Sequence, residues 1–246
     1  MIDTHAHLDG CDDPPDDLVR RAREAGVSRI VTIGSGLESS RAAVALAERV
    51  EGVYASIGIH PHQAGDREPL DKIRRLFGSD CAVAVGEIGL DYYRDFAPRD
   101  VQRRVFERQL EVAAGLGKAV VVHTRAAVDD TADALDGFQG PVILHCFSEP
   151  ELLPVALERG YYVSFAGNVT YPNALELRRA AADVPPGRIL AETDAPYLAP
   201  QPCRGRPNEP AFVIHTLEAL AAARGDDAGE LEAHIDANAT AAFGLP

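Results

Sequence analysis

The sequence predicts an α/β fold, a single (β/α)8 TIM barrel with C-terminal helices, on three observations. Short apolar runs alternate with amphipathic segments along the chain, the signature of parallel strands joined by helical crossovers. Eight such runs occur within about 200 residues, which fits a closed barrel at the compact end of its size range. Nearly every run ends in His, Glu or Asp, and a parallel barrel gathers its strand C-termini on one face, where barrel active sites lie. A doubly wound open sheet is the alternative architecture. With no linker, repeat or low-complexity tract in the way, residues 1–246 read as one barrel domain.

The elements follow in order. Ile2–Leu8 is the first strand. Asp12-Asp13-Pro14-Pro15 opens a helix, with acids in its first turn and Pro near its first position, and Gly26 stops it. Val27–Ile33 is the second strand and Glu38–Val50 the next helix. Val53–Ile59 and Ala82–Glu87 are the third and fourth strands, with a helix at Glu68–Phe77 between them. Pro98–Leu116 is a longer helix, followed by strand Ala119–His123 and helix Val128–Leu135. Strand Val142–His145 precedes helix Pro150–Arg159, and strand Tyr161–Phe165 precedes helix Asn173–Ala182. Ile189–Asp194 is the eighth strand. Two amphipathic helices, Pro210–Ala223 and Ala228–Phe243, close the chain.

Composition narrows the chemistry. With 46% hydrophobic and 25% charged residues the chain reads as an ordinary soluble globular protein. A formal net charge of −14 argues against sequence-independent binding of nucleic acid over a broad surface, which depends on Lys and Arg against phosphate. It leaves room for a site that grips phosphate locally. Cys11, Cys81, Cys146 and Cys203 are widely spaced and form no Cys-x-x-Cys, so neither a disulfide framework nor a thiolate metal site is expected. No apolar run of about 18 residues occurs, and the N-terminus is itself an expected strand rather than a leader. The expectation is a cytoplasmic protein with no membrane contact and no obligate protein partner.

The site reading begins at MIDTHAHLD. In an extended strand residues i and i+2 share a face, so His5 and His7 leave the backbone roughly 6.5–7 Å apart and can lean onto one ion. Asp3 lies one step behind on the same face. His60 ends the third strand, Glu87 the fourth, His123 the fifth, His145 the sixth and Asp194 the eighth. Four histidines (His5, His7, His123 and His145) with Glu87 and Asp194 exceed the three protein ligands of a single catalytic zinc. They suit two divalent ions about 3.5–4 Å apart. His5 and His7 are assigned to one ion and His123 and His145 to the other. Glu87 bridges them through its two oxygens, and Asp194 lies over the pair. These ligand types accommodate Zn, Mg or Mn. Arg204 and Arg206 in the loop after the eighth strand, where Asn208 follows them, together with Arg125 and His60, are candidate phosphate contacts. His62 reads as a loop residue, and His215 and His234 as structural. Tyr92 and Tyr93 suit either stacking on a base or packing at the rim. Asp194 is the candidate general base, and Glu192, two residues before it, a supporting carboxylate on the same strand face.

The blocks DTHAHLD, GIHPH, GEIGLDYYR, HTR, HCFS, ETDAPYLAP and RGRPNEP, in this order over nearly the whole chain, resemble the TatD family of metal-dependent deoxyribonucleases, within the amidohydrolase-like hydrolases. The resemblance implies a (β/α)8 barrel, divalent metals and hydrolysis of DNA phosphodiester bonds, often from the 3′ end of a single strand. It implies that His5, His7, Glu87, His123, His145 and Asp194 are metal ligands and that His60 and Glu192 are further active-site residues. Cys203 departs from the family pattern in a loop only. The alternative is an ester or amide hydrolase with the same site chemistry, such as one acting on aminoacyl esters of RNA, because the metal ligands alone do not choose between phosphorus and carbonyl carbon.

Overall fold

Strands β1 (Ile2–Ala6), β2 (Arg29–Gly34), β3 (Val53–Ile57), β4 (Ala82–Asp91), β5 (Ala119–Arg125), β6 (Val142–Leu144), β7 (Tyr162–Phe165) and β8 (Ile189–Ala191) form one parallel sheet in sequence order. The computed structural model describes residues 1–66 and 70–246. The sheet closes on itself just beyond β8. Ala6 pairs with Ala195, the His7 amide donates to Ala195 O at 2.7 Å, and the Asp194 amide donates to His5 O at 2.9 Å. A barrel is therefore the architecture, and the open-sheet alternative falls.

Around it run α1 (Pro15–Glu24), α2 (Leu37–Arg49), α3 (Leu70–Leu76), α4 (Arg99–Leu116), α5 (Val128–Ala134), α6 (Leu153–Glu158), α7 (Leu175–Asp183), α8 (Val213–Arg224) and α9 (Ala228–Phe243). The expected start of the third helix at Glu68 lies outside the described residues. Two expected helices begin with a 3-10 turn instead, Pro150–Leu152 before α6 and Pro210–Phe212 before α8. For α6 the cause is Pro154, whose missing N–H cannot bond the carbonyl of Pro150. Asp227 caps α9, accepting from the amides of Gly229 and Glu230.

The strand ends differ from the expected ones where the site is built. β8 stops at Ala191; the Glu192 amide still donates to Phe165 O at 3.0 Å, and Asp194 takes a positive φ of 56°. β4 runs on to Asp91. Val85 pairs with Val120 and Ile88 with Val122, so Gly86 and Glu87 of β4 stand opposite Val121 alone on β5. This bulge re-aims the chain at Glu87. Gly86 fits there because a Cβ would sit 2.6 Å from Val121 Cβ. Gly89 takes φ +135° beside the His123 carbonyl, a conformation and a closeness that exclude a side chain. A second bulge on β1, between Asp3 and Ala6, breaks the simple alternation. Asp3 accepts from the Thr193 amide (2.9 Å) and hydroxyl (2.6 Å) and from the His5 amide (3.3 Å), tying β1 to the chain beyond β8.

Helix α4 braces the mouth with two buried glutamines two turns apart. Gln109 accepts from the Ile59 amide (2.7 Å) and donates to Ile59 O (3.0 Å), completing a strand-like pairing next to His60. Gln102 accepts from the Asp91 amide (2.8 Å) and donates to Asp91 O (3.1 Å) and Ala97 O (2.9 Å). Gln109→Leu fills a similar volume but leaves both Ile59 backbone groups unpaired. The expected cost is about 2–4 kcal/mol, seen in calorimetry as a Tm lower by roughly 5–15 °C. An unchanged Tm would show that water or a local shift replaces the amide.

Candidate active site

The strand ends bring His7, His60, Glu87, His123, His145 and Asp194 onto one cavity of about 930 Å³ at the C-terminal mouth of the barrel, with His5 on its floor. Glu87 is the centre. Its Oε2 lies 3.5 Å from Nε2 of His5 and 3.5 Å from Nε2 of His7. Its Oε1 lies 2.8 Å from His123 Nδ1, 2.8 Å from His145 Nε2 and 3.3 Å from His60 Nε2. The two oxygens thus face the two histidine pairs separately. Asp194 Oδ1 stands 3.7 Å from His5 Nε2 and 3.6 Å from His7 Nε2, which are 3.2 Å from each other. The sets His5–Glu87–His145, His5–His7–Asp194 and His60–Glu87–His123 each hold ligand-type atoms within 4.8 Å of one another.

Several of these contacts are not hydrogen bonds. His145 Nε2 approaches Glu87 Oε1 off the line of a bond and is left without an aligned partner, although it is buried. A nitrogen and an oxygen that meet side by side suit two ligands of a third centre better than a donor and its acceptor. Buried carboxylates back the inward-facing rings. Glu192 Oε1 lies 3.1 Å from His145 Nδ1 and accepts from the Cys146 amide at 2.8 Å, while Oε2 accepts from Ser164 Oγ at 2.5 Å. Asp91 Oδ2 lies 3.3 Å from His123 Nε2 and 2.8 Å from His62 Nε2, and its Oδ1 accepts from the amides of Tyr93 and Arg94. Such partners fix which ring nitrogen keeps a proton and leave the other as a ligand. The residues therefore fit divalent cations.

His60 differs from its neighbours. The His62 amide donates to His60 Nδ1 at 3.0 Å, which makes that nitrogen the acceptor. A neutral His60 then carries its proton on Nε2, aimed at Glu87 Oε1. Its cavity-facing nitrogen is a donor, which argues against His60 as a metal ligand.

Electrostatics divide the rings. Burial pushes His5 and His60 down to about 4 and lowers His7, so all three are neutral near pH 7. Burial also opposes a proton on His123 and His145. For His123 the bonds to Asp91 and Glu87 outweigh it and raise the pKa. For His145 the charges of Glu87 and Glu192 do so, and hold it well above the usual value. Burial works against ionised Glu87 too, but the imidazoles of His145 and His60 keep it well below the usual carboxylate range. Asp194 is pushed up to about 8, chiefly by burial.

The structure corrects several expectations. Arg204 and Arg206 do not line the cavity. Arg204 donates to the Tyr171 hydroxyl at 2.8 Å with its guanidinium 4.7 Å over that ring, and Arg206 lies 5.2 Å over Phe212. These stacks hold both side chains outside the mouth. Asn208 is buried and donates to Thr193 O and Tyr197 O, bracing the loop. Arg125 does line the cavity, as does Arg94, which sequence reasoning missed. Glu192 does not share a face with Asp194, since it lies fully buried beneath His145. His62 belongs to the cavity rather than to a passive loop. Asp91 was also missed. Its even spacing from Glu87 in GEIGLD is the signal that points to it. Tyr92 donates to Asp130 at 2.6 Å and braces the rim, whereas Tyr93 is exposed. His215 and His234 sit on α8 and α9, away from the cavity.

A closed parallel barrel with histidines gathered around a carboxylate at its mouth defines a metal-dependent hydrolase. The family model for TatD related DNase matches residues 2–244, and the chain belongs to that family. It is 39% identical over 243 residues to the 3′-5′ ssDNA/RNA exonuclease TatD of Cronobacter sakazakii, covering 93% of this chain and 91% of that protein. It is 37% identical over 259 residues to the uncharacterized metal-dependent hydrolase TatD of Mycobacterium tuberculosis, covering 100% of this chain and 98% of that protein. Among solved structures, the TatD homolog YJJV of Escherichia coli superposes with a TM-score of 0.93 at 29% identity, covering 100% of this chain and 98% of that one. No helix among the described residues is long and apolar enough to cross a membrane.

Metal uptake should displace protons from His123, His145 and Asp194, whose pKa values are raised, and not from His5 or His7, already neutral near pH 7. Affinity for Zn therefore rises with pH above about 6.5. Each displaced proton contributes up to about tenfold per pH unit. Calorimetric titration at pH 6, 7 and 8 measures this, and a pH-independent affinity would contradict it.

Proposed function

We propose that this protein hydrolyses phosphodiester bonds in nucleic acid, removing nucleotides from unpaired 3′ ends of DNA with the help of two divalent cations, Zn, Mg or Mn. The observation that carries the proposal is Glu87, whose two oxygens face separate histidine sets while Asp194 covers one of them. The substrate class is supported by the match to the TatD related DNase family and by the naming of the Cronobacter relative as an exonuclease. The site is a local one, which suits a chain of net charge −14. Four unpaired cysteines accord with a reducing, cytoplasmic setting.

In this reading His5, His7, Glu87, His123, His145 and Asp194 hold the cations. Once bound, these supply Lewis acidity to a phosphoryl oxygen and to water. The protein's own groups do the rest. Asp194, whose Oδ1 stands 3.7 Å from His5 Nε2 and 3.6 Å from His7 Nε2, accepts a proton from the attacking water. His60 offers its Nε2–H to a phosphoryl oxygen, and the Arg125 guanidinium reaches the same cavity as a second donor. Glu192 acts through His145, holding the ring so that Nε2 faces inward.

The test is hydrolysis of 3′-end-labelled single-stranded DNA with added Mg, Mn or Zn. Metal-dependent loss of label that Glu87→Ala abolishes is the expected result. No cleavage with any metal, by protein that still binds two ions per chain, would overturn the proposal in favour of an ester or amide hydrolase, with aminoacyl esters the next substrates. Asp194→Asn should lower turnover by roughly 100- to 10,000-fold with an unchanged circular dichroism spectrum. Near-normal turnover would remove Asp194 from the reaction. Glu192→Gln should weaken metal binding about 10- to 100-fold, and unchanged binding would make Glu192 a purely structural residue.

A further inference from the structure

Among the described residues, the large hydrophobic side chains left exposed are Tyr93, Phe96 and Tyr197, each 60–65% exposed, and Leu175 at 59%. The three aromatics lie in loops at the C-terminal mouth of the barrel, Tyr93 and Phe96 after β4 and Tyr197 after β8. Three strands separate β4 from β8 in either direction round a closed ring of eight, so Phe96 and Tyr197 stand on opposite sides of the mouth. Both line the cavity that holds Glu87. Each leans edge-on against a histidine of the site, Tyr197 on His7 with ring centroids 5.9 Å apart and Phe96 on His62 at 4.8 Å. Exposed aromatics gathered around one cavity mark a binding surface.

These side chains are also held in place. The Tyr197 amide donates to Asp194 O at 2.8 Å, and Tyr197 O accepts from buried Asn208. The segment carrying Phe96 is pinned by Gln102 on Ala97 O (2.9 Å) and by Arg99, which pairs with Asp95 at 3.0 Å. Tyr93 is occupied differently, with the Arg125 guanidinium 4.0 Å over its ring. Among the described residues, Arg94 and Arg125 are the guanidinium-bearing side chains that line the cavity. Two guanidinium groups in a chain of net charge −14 give little sequence-independent grip on a phosphate backbone. Beyond the contacts at the scissile phosphate itself, a source of affinity that needs no positive charge is the uncharged faces of the bases, which aromatic side chains stack on whatever the sequence.

Resting on the nuclease reading above, we propose that Phe96 and Tyr197 form a two-sided clamp that stacks the bases flanking the scissile bond, and that this clamp makes the enzyme select unpaired ends. Bases inside a duplex have both faces covered by their neighbours, whereas an unpaired end offers free faces.

The test compares kcat/KM for a single-stranded DNA with kcat/KM for the same strand carrying abasic residues at its last two 3′ positions. The unaltered protein should prefer the intact strand by roughly 10- to 100-fold. In Phe96→Leu and Tyr197→Leu, which keep bulk without a flat face, the preference should shrink, and in the double variant it should fall to about 1. Phe96→Tyr and Tyr197→Phe should retain it. A preference unchanged in the leucine variants, or absent from the unaltered protein, overturns the clamp while leaving the nuclease reading standing. Failure of the unaltered protein to cleave either strand with any metal overturns the nuclease reading, and the clamp with it.

Discussion

A buried carboxylate surrounded by imidazoles is the interaction on which the mouth of this barrel depends. Glu87 is 2% exposed, and at that depth an ionised carboxylate is stable only among groups that answer its charge. Five histidine nitrogens from β1, the loop after β3, β5 and the end of β6 do so within 3.5 Å of its two oxygens. The strand irregularities serve this meeting. The β4 bulge re-aims the chain at Glu87, Gly86 and Gly89 let neighbouring strands close around it, and the β1 bulge sends Asp3 towards Thr193 instead.

Outside this shell lies a second layer of negative groups. Glu192 and Asp91 are buried, Glu192 behind His145 and Asp91 behind His123 and His62, and each is held by hydrogen bonds from backbone amides. The result is a graded site. His5, His7 and His60 are neutral, while His123 and His145 hold protons more readily because of the carboxylates beside them. Gln102 and Gln109 fix the backbone at Asp91 and Ile59, so helix α4 sets the position of two of the loops that carry the chemistry.

Much of this was legible in the sequence. Eight apolar runs gave the barrel, and the polar residue ending most of them gave the cluster, because both follow from strand periodicity and parallel packing. What escaped depended on local departures from regular strand. The bulge in β1 and the early end of β8 are invisible to a rule that alternates faces, so Asp3 and Glu192 were placed wrongly. Arg204 and Arg206 satisfied a chemical rule for phosphate, but the tertiary contacts that turn them onto Tyr171 and Phe212 carry no local signature. His62 and Asp91 were the opposite case, ordinary in isolation and joined only when β3 and β4 lie side by side.

The most direct test of the central claim is a crystal structure of the protein soaked in Mn, read by anomalous scattering. The account predicts two peaks about 3.5–4 Å apart, one against each oxygen of Glu87. The first should be shared with His5 and His7, and the second with His123 and His145. A single peak, or a Glu87 side chain turned away from the metal, would contradict it.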